Sequence, residues 1–309
     1  MMLDIVGKRF WFLLISVVII LICIISLAVI GLEAGVEFSS GSVMTVGFEE
    51  EVTRSELEKE LSGLGYTNVI IQSVGEEDWL IRLPELTGKD KEELEAGLTE
   101  ALGTLEVREF DVVSPMVATE TARNAGIAIA VAAIGILLYV AWAFRRMPNP
   151  FRYGTCAIVA LIHDAVVALG VFAILGGVLG WEINLMFVTG ILAVIGYSVN
   201  NTVVVFDRIR ENLTRDARSD FEVVVNSSLV ETLSRSLNTS LTTLFVVLTL
   251  LLFVGASIQN FAVVLLIGII AGTYSSLCIA PQLLVVWRKD EWRRFTGWLP
   301  IARTNTEGD

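Results

Sequence analysis

The chain has 309 residues, 54% of them hydrophobic and 18% charged, with a net charge of −12 and a mean hydropathy of +0.69. A soluble domain of this length carries about 25% charged residues, so the composition points to an integral membrane protein. The acidic balance also excludes nucleic acid as a partner.

The first long apolar run, about residues 10–31, exceeds a signal-peptide core and lacks a small-x-small exit, which predicts a retained signal anchor. Further runs at about 124–144, 154–178, 184–206, 236–255 and 260–287 each approach the roughly 20 residues that cross a bilayer. Six transmembrane helices are expected. They divide the chain into residues 1–31 (N-terminus and first span), an α+β domain over 32–120, a five-helix bundle over 121–287 with a polar link about 207–235, and a charged tail over 288–309.

Between Leu32 and Glu120 lie 21 acidic and 6 basic residues, against 13 acidic and 16 basic elsewhere. Within this insert "SVMTVGF" predicts a strand and "TRSELEKELSGLG" a helix with a Thr53–Glu56 capping box and a glycine stop. "TNVIIQSV" and "DWLIRL" alternate as paired strands across "GEE". "DKEELEAGLTEALG" predicts a second helix and "LEVREFDVV" a last strand. The order β-α-β-β-α-β is that of a split βαβ, ferredoxin-like unit. Its acidic helices present a solvated face and no catalytic constellation.

Lys and Arg set the orientation. Lys8 and Arg9 precede the first span, and Arg145, Arg146 and Arg152 separate the second from the third. Arg208, Arg210, Arg215 and Arg218 separate the fourth from the fifth, while Arg288, Lys289, Arg293 and Arg294 follow the sixth. Both termini are therefore expected in the cytoplasm, with the acidic insert outside.

Several polar groups do not suit lipid. In "LIHDAVV" Asp164 lies about 15 Å into the third span, near the midplane. An ionised aspartate there costs ~2.5–3.5 kcal/mol on insertion scales and usually marks an ion or substrate path. His163, the only histidine, precedes it, but neighbours on a helix point about 100° apart and need not touch. In the fourth span, "IGYSVNNTVVVFDRIREN", Gly190, Ala193, Gly196 and Asn200 are read as one small face for close helix packing, with Asn201 pointing elsewhere. The fifth span opens with "TLSRSLNTSLTT", where Arg235, Asn238 and Thr242 share a face beside Thr239. Arg235 either snorkels to the interface or serves the polar ladder. Gly268, Gly272 and Ser276 form a packing seam on the sixth span. Cys23, Cys156 and Cys278 sit singly in apolar runs and give neither a disulfide framework nor metal spacing, so no metal or cofactor is expected.

"IGYSVNNTVVVFDRIREN", "LIHDAVV", "GVEFSSG" and "TLSRS" together resemble the SecF branch of the SecD/SecF family of protein-export membrane proteins, within the resistance-nodulation-division superfamily. The resemblance implies a non-enzymatic accessory subunit of the Sec translocase in the cell membrane. It implies SecD, the SecY-E-G channel, YajC and translocating precursor proteins as partners, and the proton-motive force as the energy source. Two departures stand out. Glu37 and Ser40 occupy an aspartate and a glycine position of the first family motif, and Asn201 stands where the family typically has a proton-carrying aspartate. An amide cannot titrate. Proton coupling would then fall on Asp164 or a SecD acid, with Arg235 as a charged neighbour and Asn201 as a hydrogen-bond station. A superfamily exporter of small molecules or lipids, and a proton-silent scaffold for SecD, remain as alternatives.

Overall fold

The computed structural model describes residues 3–67, 69–74, 78–145, 149–215, 218–253 and 258–291. The "GEE" turn, Arg146, Arg293 and Arg294 lie outside these residues.

Helix α1 (Arg9–Val29) is followed by a short helix, α2 (Val36–Ser39), and then by β1 (Gly41–Phe48), α3 (Arg54–Gly63), β2 (Ile70–Val74), β3 (Asp78–Leu83), α4 (Gly88–Leu102) and β4 (Leu105–Val113). The sheet order is β2-β3-β1-β4, and β1 pairs antiparallel with both β3 and β4. That is the split βαβ arrangement expected from the sequence. Met44, Val46, Ile81 and Leu83 from the sheet close on Leu57, Leu61, Leu94 and Leu98 of the helices. The Thr53–Glu56 capping box is present, and a second one, Thr87–Asp90, starts α4.

The motif before β1 carries strain. Ser40 has φ 65° and ψ 164°, a region that is essentially glycine's. Gly41 follows at φ 127°, and a Cβ there would lie 2.7 Å from the Leu83 carbonyl oxygen. Glycine is required at 41, while serine is merely tolerated at 40. Ser40→Gly is expected to stabilise the full chain by about 1 kcal/mol, the strain relieved exceeding the added freedom of the unfolded chain. A higher unfolding midpoint in detergent is the expected reading; a lower one would contradict it.

The bundle comprises α5 (Pro115–Ala143), α6 (Pro150–Leu179), α7 (Leu185–Arg215), α8 (Phe221–Phe253), and α9 (Gln259–Cys278) continued by α10 (Ala280–Arg288). With α1 these give, among the described residues, six helices long and apolar enough to cross a membrane. Most of the polar link expected about 207–235 is helical: α7 and α8 run past the apolar segments, and Arg208 joins Glu231 at 2.6 Å and Glu211 at 2.5 Å. The break between α9 and α10 is caused by Pro281, which cannot donate to the Leu277 carbonyl. Gln282 Nε2 reaches that freed carbonyl at 3.4 Å.

Two polar clasps close the bundle's ends. At the end bearing Lys8 and Arg9, the buried Arg9 pairs with Glu222 and Glu291, each at 2.8 Å. Beside it Asn226 Oδ1 accepts from the backbone N–H groups of Ile5 and Val6. At the opposite end the α+β domain rests on the connection between α6 and α7, where Gly35 N–H donates to the Ile183 carbonyl and Ile183 N–H to that of Glu33.

Candidate functional site: a buried carboxylate cluster and an open polar face

Asp164 sits near the middle of α6, 1% exposed, facing α7 and α9. Its Oδ2 accepts from Ser275 Oγ of α9 at 2.6 Å and from Ser198 Oγ of α7. Its Oδ1 lies 3.0 Å from His163 Nδ1. Adjacent residues on a helix point apart, yet here the imidazole swings back and the two side chains touch. Three spans thus converge on one carboxylate, which answers the cost of holding it at mid-membrane.

Close helix approach makes this convergence possible. A Cβ on Gly268 would fall 2.0 Å from Val194 Cγ2, and one on Gly272 would lie 3.1 Å from Ser198 Cβ. Gly190 similarly meets Val264 at 3.1 Å. Without side chains at these points α9 lies tight against α7, and Ser198 and Ser275 reach the same oxygen. A neighbouring layer adds Tyr197 OH to Ser240 Oγ at 3.3 Å and Thr273 Oγ1 to Ser240 Oγ at 2.6 Å, tying α7, α8 and α9.

The cluster continues towards α1. The His163 ring lies 6.3 Å from that of Tyr274, whose hydroxyl donates to the Phe12 carbonyl at 2.8 Å beside Ser16 Oγ. His163 Nε2 is buried and has no hydrogen-bond partner within the described residues. Asn201, 3% exposed, likewise leaves Nδ2 unpaired there, as Ser236 leaves Oγ.

The proposed site residues therefore separate into two groups. Asp164 and His163 belong to the buried cluster, with Asn201 buried on the same helix as Ser198. Arg235, Asn238, Thr239 and Thr242 lie on the exposed face of α8, and Asn200 with Gly196 on the exposed face of α7. The Thr239 hydroxyl is satisfied by the Arg235 carbonyl and the Thr242 hydroxyl by that of Thr239, both at 2.9 Å. Arg235 is not brought to Asp164, whose oxygens are already occupied.

One grouping is corrected. Gly190, Ala193, Gly196 and Asn200 do not form one packing face: a Cβ on Gly196 would meet nothing within 4 Å, while Gly190 is packed against α9. Steps of three residues drift by about 60° each, which carries Gly196 about a third of a turn away from Gly190. Eleven residues make just over three whole turns, so it is Asn201 that returns to the Gly190 side. Sequence reasoning also missed Ser198 and Ser275. Ser198 lies one turn before Asn201 inside the quoted motif, and Ser275 adjoins the Gly268–Gly272–Ser276 seam; both were available signals.

Comparison with known proteins agrees with this architecture. Residues 93–290 match the family described as "Protein export membrane protein SecD/SecF, C-terminal". The chain is 43% identical to protein translocase subunit SecF of Thermobaculum terrenum, covering 95% of this chain and 96% of that protein. It is 38% identical to SecF of Anaerolinea thermophila, covering 95% and 97%. The crystal structure of SecDF from Thermus thermophilus superposes with a TM-score of 0.84 at 30% identity, over 94% of this chain and 39% of that one. The chain thus spans about two-fifths of the longer SecDF polypeptide. With six apolar spans and relatives aligned over nearly its whole length, the chain is a multi-pass membrane protein belonging to the SecD/SecF family of protein-export membrane proteins.

Proposed function

We propose that this chain is the SecF-type half of a SecD–SecF accessory complex, promoting late steps of precursor export through SecY-E-G at the expense of the proton-motive force. The observation that carries the reading is the open polar face. Arg235, Asn238 and Asn200 are exposed on apolar helices, and among the described residues nothing covers them. Lipid gives such groups no partners, and each unsatisfied one costs several kcal/mol. A second half-bundle with matching polar spans would cover them, and an acid on it would pair with Arg235. The match to part of a longer SecDF chain supports SecD as that half.

Both termini face the cytoplasm in this reading and the α+β domain lies outside, following the distribution of Lys and Arg. SecY-E-G, YajC and emerging precursors are the further partners. Proton coupling in this subunit falls on Asp164, because Asn201 cannot carry a proton. Asn201 keeps a polar station in the interior, and Asn200 and Arg235 serve the interface.

Cells lacking SecD are expected to degrade this chain, and re-expression of SecD to restore its level. A chain that purifies alone with unchanged thermal stability would contradict the half-transporter assignment. Co-purification with SecD that is lost on Arg235→Leu would place the interface on α8.

A further inference from the structure

The connection between α6 and α7 is only residues 180–184, yet it gathers most of the polar contacts between the α+β domain and the bundle. Arg82 of β3 pairs with Glu182 at 2.8 Å, the side chains 15% and 14% exposed. Gln72 of β2 donates to the Gly180 carbonyl, and Asn260 Nδ2 of α9 to the Glu182 carbonyl at 2.8 Å. Gly35 N–H reaches the Ile183 carbonyl at 2.8 Å, and Ile183 N–H reaches Glu33 at 2.7 Å. A Cβ on Gly35 would lie 2.9 Å from the Ile183 carbonyl oxygen, so glycine is needed for the approach. Strands β2 and β3 and the segment before β1 thus grip one short turn.

We propose that this turn is a latch, with Arg82–Glu182 as its releasable element, through which the α+β domain holds the α6–α7 pair that carries Asp164 and Ser198. The turn is too short to absorb a displacement, so moving the domain pulls on both helices together. A shift of the domain is therefore a shift of the two spans around the carboxylate.

The charges give the latch a direction of response to pH. Burial pushes the Glu182 carboxyl above its ordinary value, Arg82 pulls it down in part, and Glu33 and Glu37 push it up again. Arg82 comes from β3, Glu33 and Glu37 from the segment before β1, and Asn260 is the neutral contributor from α9. The docked form consequently holds a proton on Glu182 more tightly than a released form whose Glu182 is solvated. Acidification favours docking, and rising pH through the raised value favours release. A simple exposed ion pair would behave the opposite way.

The test is a distance and needs no export activity. Spin labels at Lys59→Cys on α3 and Val178→Cys on α6, with the three native cysteines changed to alanine, report docking in the full chain with its SecD partner in lipid nanodiscs. A short distance is expected to dominate at about pH 5, and a longer population to grow as the pH is raised to about 8, in the direction that the raised proton affinity of docked Glu182 requires. Glu182→Gln should hold the short distance at both pH values. Arg82→Gln should enlarge the long population at the higher pH, while Arg108→Gln, whose partners are Asp78 and Glu106, should change nothing. Distances indifferent to pH and to both latch substitutions would overturn the proposal, as would a short population that grows with pH.

Discussion

Asp164→Asn is expected to abolish the part of precursor export that depends on the proton gradient. Export from inverted vesicles should fall to the level seen with the gradient dissipated, with ATP-driven export unchanged. The reasoning is geometric. The amide keeps an oxygen to accept from Ser198 and Ser275 and nearly the same volume, so the α6–α7–α9 junction can persist. It cannot take up a proton. Asn201→Ala should weaken gradient-dependent export only in part, because Asn201 is buried but does not titrate. Equal gradient dependence in wild type and Asp164→Asn would remove Asp164 from the mechanism and leave this subunit as a proton-silent scaffold.

The second large effect concerns the helix contact that builds the cluster. Gly268→Ala places a methyl group 2.0 Å from Val194 Cγ2, and a β-branched valine on a helix has little freedom to move aside. Overpacking of this kind costs about 1–3 kcal/mol. Separation of α9 from α7 would also draw Ser275 away from the oxygen it shares with Ser198, so stability and gradient coupling should fall together. Val194→Ala should restore both in the double variant. Gly196→Ala, which meets nothing within 4 Å, should leave the unfolding midpoint of the chain unchanged or slightly raised by better helix propensity. Equal losses for Gly268→Ala and Gly196→Ala would show that proximity to Val194 is not what matters.

The contrast between those glycines shows where the sequence is informative. Spans and strands were legible because apolar length and alternation are local signals, and Thr53 with Glu56 marked a helix start that exists. Asp164 was legible because an acid in an apolar run demands partners. The identity of those partners was not. Serine is nearly neutral on a lipid scale, and whether Ser198 and Ser275 turn inward depends on how closely α7 and α9 approach. That approach is set by Gly190, Gly268 and Gly272 on two separate helices. Treating spacings of three and four as equivalent placed Gly196 and Asn200 on the packing side, although accumulated drift takes them to the open one. Arg235 stood out in the sequence as a charge at the start of an apolar run, and in the fold it lies on the exposed face of α8, away from Asp164.

Proton uptake by Asp164 is the central claim, and infrared difference spectroscopy of the complex in sealed vesicles reads it directly. Imposing a proton gradient should produce a protonated-carboxyl band that is absent in Asp164→Asn and retained in Asn201→Ala. A band that survives Asp164→Asn unchanged would place the titrating group outside this chain.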